Sequence, residues 1–261
     1  MADKAERSWL KLEIGAGAMI VLIAAVGLAA PPLWRKYQEI RRTVLLRVRA
    51  DGTAWHAGRQ LVLPEHPYFE LPASPASPGS PGSLRALLAD RNRRLGFDRD
   101  AARHEVSRVK LVLVADPQAD CSAVQKILVD GIPEKLSALT INDWRVKLPL
   151  DARSFAVGPR PPDNTVRLAL WLSDGELQLS VDGRSCRSVA EIGQCLAALP
   201  KAEVLVDLRP APIPAGEAES AVLVRDLVEA IRACYYAGWD DLWLAEPPLY
   251  VTHPIFNSEA P

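Results

Sequence analysis

Histidine and cysteine are scarce in this chain, with four of each among 261 residues. His56, His66, His104 and His253 lie scattered, without the spacing of metal ligands. No Cys-x-x-C occurs, so zinc binding and thioredoxin-type redox chemistry have nothing to build on. No glycine-rich phosphate loop follows an apolar strand. A dominant charge is missing too: the net charge is −1, which excludes a globally basic nucleic-acid binder. Asp116 and Asp120 follow an apolar strand, where α/β enzymes often place acids, but no partner base accompanies them. A helix N-terminus attracts carboxylates on its own account. The sequence predicts no enzyme, no cofactor, no metal and no nucleic-acid partner.

Hydrophobic residues make up 49% of the chain, and one stretch holds them without interruption. Ile14 to Leu33 contains no charged side chain. As a helix, such a run rises about 30 Å, the thickness of a bilayer's hydrocarbon core. It is longer than the h-region of a signal peptide, and Arg35, Lys36, Arg41 and Arg42 follow closely. The expectation is a retained transmembrane helix over residues 14–34, behind an N-terminal segment of residues 1–13. Basic residues alone favour a cytoplasmic C-terminal side, since Lys4, Arg7 and Lys11 are diluted by Asp3, Glu6 and Glu13. Arg41, Arg42, Arg47 and Arg49 form a basic cluster suited to lipid headgroups.

The remainder reads as a repeat. One copy opens TVLLRVRADGTAWHAGRQL, residues 43–61, and the other NTVRLALWLSDGELQLSVDGRSC, residues 164–186. Each is an alternating strand, a turn at Asp51-Gly52 or Asp174-Gly175, and a second strand ending at Gly58-Arg59 or Gly183-Arg184. A short helix follows: Ser83 caps a face of Leu84, Leu87, Leu88 and Leu95. Its counterpart carries Ile192, Cys195, Leu196 and Leu199 behind a Ser188/Glu191 capping box. Next come the strands VKLVLVAD (109–116) and EVLVDL (203–208), then helices around Val124, Ile127 and Leu128 and around Leu223, Leu227, Val228 and Ile231. Each copy closes on a strand with tryptophan, DWRVKL (143–148) or WDDLWLA (239–245). Trp144, Trp171, Trp239 and Trp243 suit packing better than ligand stacking. The predicted class is α+β: two β-β-α-β-α-β domains, residues 43–150 and 164–246, each with its own core. A linker spans 151–163 and a tail 247–261. ASPASPGSPGS, residues 73–83, is a low-complexity insertion in the first copy.

Residues 166–245 follow the order of a hairpin with a small polar turn, a short helix, a Val-rich strand and a helix ending in Ala237-Gly238 before a last strand. With the preceding anchor, that order resembles the ExbD/TolR biopolymer-transport proteins. RVKLVLVADPQADCSAVQKILVDG, residues 108–131, fits the same central strand and helix. The resemblance implies a single-pass component of an energy-transducing complex in the bacterial inner membrane. It also implies a multi-span ExbB/TolQ-like partner, homodimers and periplasmic domains, against the charge count.

One family feature is absent. Members of that family carry an intramembrane aspartate that takes and releases protons, and Ile14–Leu33 has no Asp or Glu. Glu13, at the edge of the run, reads as a solvated flank residue beside Lys11 or as a displaced proton carrier. The alternative function is therefore an anchored scaffold or binding module that has lost the carboxylate. Cys186 and Cys195 read as a disulfide, if the domain lies outside the cytoplasm, or as buried free thiols. Cys121 and Cys234 read as packing residues on helix faces.

Overall fold

The computed structural model describes Trp34 and residues 36–65, 69–71, 81–100, 105–148, 165–201, 204–208, 222–245 and 249–251. The run Ile14–Leu33 lies outside them, as do Glu13 and the linker. Among the described residues no helix is long and apolar enough to cross a membrane. The chain divides into two compact units, Met1–Thr43 and Val44–Pro261. In the first, residues 36–42 are helical (α1). The Trp34 and Tyr37 rings lie 5.8 Å apart, and the Arg41 guanidinium sits 5.6 Å from the Tyr37 centroid.

The second unit is α+β and begins with three short antiparallel strands, β1 (Thr43–Val48), β2 (Ala54–His56) and β3 (Arg59–Gln60). Alternation in β1 buries Val44, Leu46 and Val48 while Leu45 and Arg47 face out. The Asp51 carboxylate shapes the first turn by accepting from Thr53 N at 2.9 Å and Thr53 Oγ1 at 2.7 Å. Ala57 and Gly58 form the second turn, both at positive φ. The strand β4 (Phe69–Leu71) pairs in parallel with β15 (Leu249–Val251) as a separate two-stranded sheet.

Ser83 caps α2 (Leu84–Leu95) by accepting from Ala86 N at 3.2 Å, as the sequence predicts. A small hairpin, β5 (Phe97–Arg99) and β6 (Glu105–Ser107), leads to β7 (Lys110–Ala115) and α3 (Cys121–Gly131), which is capped by Asp120. A 3-10 turn at Ile132–Glu134 ends at Lys135 in the left-handed region. The chain then makes a hairpin of β8 (Ala138–Ile141) and β9 (Trp144–Lys147).

The second half repeats this plan with β10 (Val166–Ser173), β11 (Glu176–Val181), β12 (Arg184–Cys186), α4 (Val189–Ala197), β13 (Val204–Leu208), α5 (Val224–Tyr236) and β14 (Leu242–Leu244). Asp174-Gly175 and Asp182-Gly183 turn the chain with positive φ at both residues. The expected capping box takes another form: the Ser188 side chain makes no cap bond, and Glu191 accepts from Arg187 N, one residue before the cap, at 2.9 Å.

The expectation of two domains with separate cores is corrected by the sheet. Eleven strands run in the order β12-β11-β10-β13-β14-β9-β8-β7-β1-β2-β3. The halves are therefore modules of one fold, joined where β14 lies parallel to β9 with Trp243 opposite Lys147. One contiguous core extends from Val44 through Leu113, Leu139 and Val146 to Leu168, Ile231 and Leu244. DWRVKL is also reassigned. The strand equivalent to β14 is β8, and Trp144–Lys147 is an additional strand that bridges the modules.

A shared core predicts all-or-none unfolding. Urea denaturation of the chain followed by far-ultraviolet circular dichroism and by tryptophan fluorescence should give superimposable single transitions. Leu139→Ala, a fully buried truncation, should lower stability by about 2–5 kcal/mol and move both signals together. Two resolved transitions, or a shift confined to one probe, would contradict the shared core.

Candidate functional site

The two modules meet along β9 and β14, and aromatic and charged side chains gather at this seam. Val146 points into the core, so Lys147 takes the opposite face of β9, where its ammonium pairs with the Asp241 carboxylate. The same ammonium lies 5.2 Å from the Trp243 ring centroid. On the core side of β9, the Trp144 ring packs against Tyr235 at 5.0 Å and edge-on against Tyr236 at 6.1 Å. Tyr235 donates its hydroxyl proton to the Arg145 carbonyl at 2.6 Å, tying α5 to a strand of the other module. Burial, with Asp240 nearby, pushes the Tyr235 phenol above its ordinary pKa. Tyr236 is 79% exposed, which leaves an aromatic surface at the junction.

The helix starts interlock as well. Cys121 N donates to the Val222 carbonyl at 2.8 Å, and Val224 N donates to the Ala119 carbonyl at 2.8 Å. Arg225 N adds a bond to the Pro117 carbonyl at 3.1 Å. The first turns of α3 and α5 thus exchange backbone hydrogen bonds reciprocally, satisfying donors that each helix would otherwise leave orphaned.

The acids singled out in the sequence are occupied structurally. Asp116 accepts from Gln118 N at 2.8 Å, and Asp120 accepts from Ser122 N at 2.5 Å as the α3 cap. No base faces either acid in these contacts. His56 Nδ1 meets the Leu45 carbonyl at 2.9 Å; His66, His104 and His253 lie outside the described residues. No cluster of three potential metal ligands occurs among the described residues. The basic cluster is partly sequestered, since the Arg49 guanidinium sits 4.0 Å from the Trp55 centroid.

All four cysteines are free thiols. Burial raises Cys121 well above the usual thiol range and pushes Cys234 up to about 12, so both are inert packing groups. The structure does bring Cys186 and Cys195 together, with their Sγ atoms 3.2 Å apart.

A polar network that the sequence does not reveal lies under α2. Asn92 receives the Ser107 hydroxyl at 2.5 Å and donates to the Glu134 carbonyl at 3.0 Å. Arg85 N donates to Asp130 Oδ2 at 3.2 Å, while the Arg85 guanidinium lies 3.6 Å from Glu134. Desolvation raises Asp130 to about 6, although Arg85 opposes the shift. Asn92 and Glu134 are 42 positions apart, Arg85 and Asp130 45, and Ser107 and Asn92 15, so no local pattern announces them.

No family model, curated protein or solved structure matches the chain.

The Asp130 carboxyl is protonated more readily in the fold than in the unfolded chain. Its contribution to stability is therefore full below about pH 3.8 and falls as pH rises towards about 6. Asp130→Asn keeps an acceptor for Arg85 N and removes the buried charge. It should raise stability at neutral pH by roughly 1–3 kcal/mol and change it little near pH 4. Urea titrations at the two pH values test this. A destabilised variant at neutral pH would show that the ionised carboxylate is needed.

Proposed function

We propose that this chain is an ExbD/TolR-like single-pass component of an energy-transducing biopolymer-transport complex in a bacterial inner membrane. Its two modules would stand on the periplasmic side. The observation that carries this reading is the second module's element order behind an N-terminal apolar run. A hairpin turning at Asp174-Gly175 is followed by a short helix, the strand Val204–Leu208, a helix running into Ala237-Gly238, and a last strand. The first module uses the same order. On this reading the chain is not an enzyme: it contacts membrane lipid, dimerises and docks on a multi-span ExbB/TolQ-like protein. The structurally used acids Asp116 and Asp120 and the inert thiols Cys121 and Cys234 are consistent with a binding and coupling role.

A second reading is favoured by one specific observation. Ile14–Leu33 holds no carboxylate, so no group inside the run titrates. The chain would then be an anchored scaffold that kept the modules and lost the motor step, leaving any proton transfer to its partner.

Co-purification of the tagged chain from membranes with an ExbB/TolQ-like protein tests the assembly. Recovery of the chain without any such partner would remove the first reading. Glu13 separates the two mechanisms. Beside Lys11 and near water it should be ionised and dispensable, so Glu13→Gln should leave ion-driven function within about two-fold of the wild type. Abolition by Gln with rescue by Glu13→Asp would instead make Glu13 the carrier, its proton affinity raised by burial against a partner helix. For topology, an impermeant thiol reagent in outer-permeabilised cells should label a cysteine introduced in the C-terminal module and spare one introduced near the N-terminus. The reverse pattern would place the modules in the cytoplasm.

A further inference from the structure

β12 is an outermost strand of the eleven-stranded sheet. It is three residues long, with Arg184 and Ser185 exposed and Cys186 buried. Among the described residues one side of this strand has no strand neighbour, so its hold on the sheet rests on β11 and on whatever its side chains reach. Register places Cys186 opposite Leu179, on the side of the sheet that carries the core. There it meets α4, whose Cys195 lies beside the buried Ile192 and Leu196.

The first module fills the corresponding place without a thiol. Leu61 lies three residues after Gly58, as Cys186 lies three after Gly183, and Leu61 packs against the core. An aliphatic side chain therefore satisfies this position in the same architecture. The second module instead places two thiols in contact, 3.2 Å between sulfurs, within about an ångström of bonding range.

We propose that Cys186 and Cys195 form an intramolecular disulfide that staples the edge strand β12 to α4. Cys195 is the more exposed of the two. Burial and the neighbouring Cys195 push the Cys186 thiol up to about 11, which makes it the poorer first nucleophile. The Cys195 thiolate attacks an external disulfide, forming a mixed disulfide and releasing one thiol. Cys186, losing its proton, then displaces the second external thiol and closes the Cys186–Cys195 bond. Two protein thiols are oxidised, one external disulfide is reduced to two thiols, and the protein's two protons pass to them. The closed loop is short, so the link constrains the unfolded chain and holds the edge strand under the helix. In the cell the bond rests on the periplasmic placement proposed above; in the purified chain it does not.

The test uses the full-length chain, purified reduced in detergent and incubated with oxidised glutathione. Trypsin cleaves after Arg184, Arg187 and Lys201, which puts the two cysteines on separate peptides, 185–187 and 188–201. The expected result is those peptides linked within a monomeric chain, with Cys121 and Cys234 still thiols. Thermal unfolding of the oxidised form should rise by roughly 5 °C over the reduced form, and Cys195→Ser should abolish that rise. A persistent glutathione adduct on either cysteine, a link to Cys121 or Cys234, a covalent dimer, or a linked form with no thermal rise would overturn the proposal. The native chain supplies the readout, so a poorly folding variant does not decide the outcome. Failure here would leave the membrane assignment untouched, because no step depends on location.

Discussion

The parallel pairing of β9 with β14 is the contact on which the rest of the structure depends. A sheet edge exposes unpaired backbone donors and acceptors, and each module by itself would end on such an edge. Joining the two edges makes one eleven-stranded sheet and lets a single core run beneath both halves. The pairing is narrow, with one register pair at Trp243 and Lys147. Side chains reinforce it on both faces: the Lys147–Asp241 ion pair on one, and Trp144 packed on Tyr235 and Tyr236 on the other. The partly exposed ion pair contributes modestly, so aromatic burial and the bonds between the starts of α3 and α5 carry most of the junction.

Much of the local structure was legible in the sequence. Asp174-Gly175 marked a hairpin because both residues must adopt positive φ, and Ser83 marked a helix start because its hydroxyl satisfies an orphaned amide. The predicted faces of α2 to α5 are the faces buried, as Leu84, Ile127, Ile192 and Ile231 illustrate. Pairings between distant segments were not legible. β8 has four residues and follows a 3-10 turn containing Pro133, so it offers no run long enough to read as a strand. Trp144–Lys147 looked like a terminal strand because its alternation is strong, and nothing local says that its partner lies near Trp243. Gly58 and Gly183 read as strand ends but turn the chain into the third strands β3 and β12. At the candidate site, the aromatic residues were visible as packing groups, yet their convergence at a junction between modules was not.

Several titratable groups of the described residues hold local structure. Asp120 closes a helix, Asp51 shapes a turn, and Glu134 and Asn92 anchor a buried network beneath α2. Desolvation that keeps Cys121 and Cys234 protonated also makes them poor nucleophiles. Asp130 is the one buried acid among the described residues, and desolvation raises its pKa to about 6 although Arg85 N donates to it. Such a group makes the first module's packing responsive to mild acid without offering a catalytic arrangement.

The additional strand β9 explains how two equivalent modules share one face of a sheet. β8 runs antiparallel to β9, and β9 runs parallel to β14, so the equivalent strands β8 and β14 are antiparallel to each other. That relation is what a two-fold axis perpendicular to the sheet produces, passing near β9. Such an axis leaves the sheet's faces in place, so the buried sets Leu111/Leu113, Leu139/Ile141, Leu242/Leu244 and Leu168/Leu170 stay together. A repeat joined by an axis lying in the sheet plane would turn one module's core face outward. The two-fold also makes the outer edges equivalent, β3 at one end and β12 at the other. Symmetry is broken at those ends by side chains. Leu61 supports one edge by packing, while Cys186 faces Cys195 at the other, so the halves of one fold differ in how their free edges can be held.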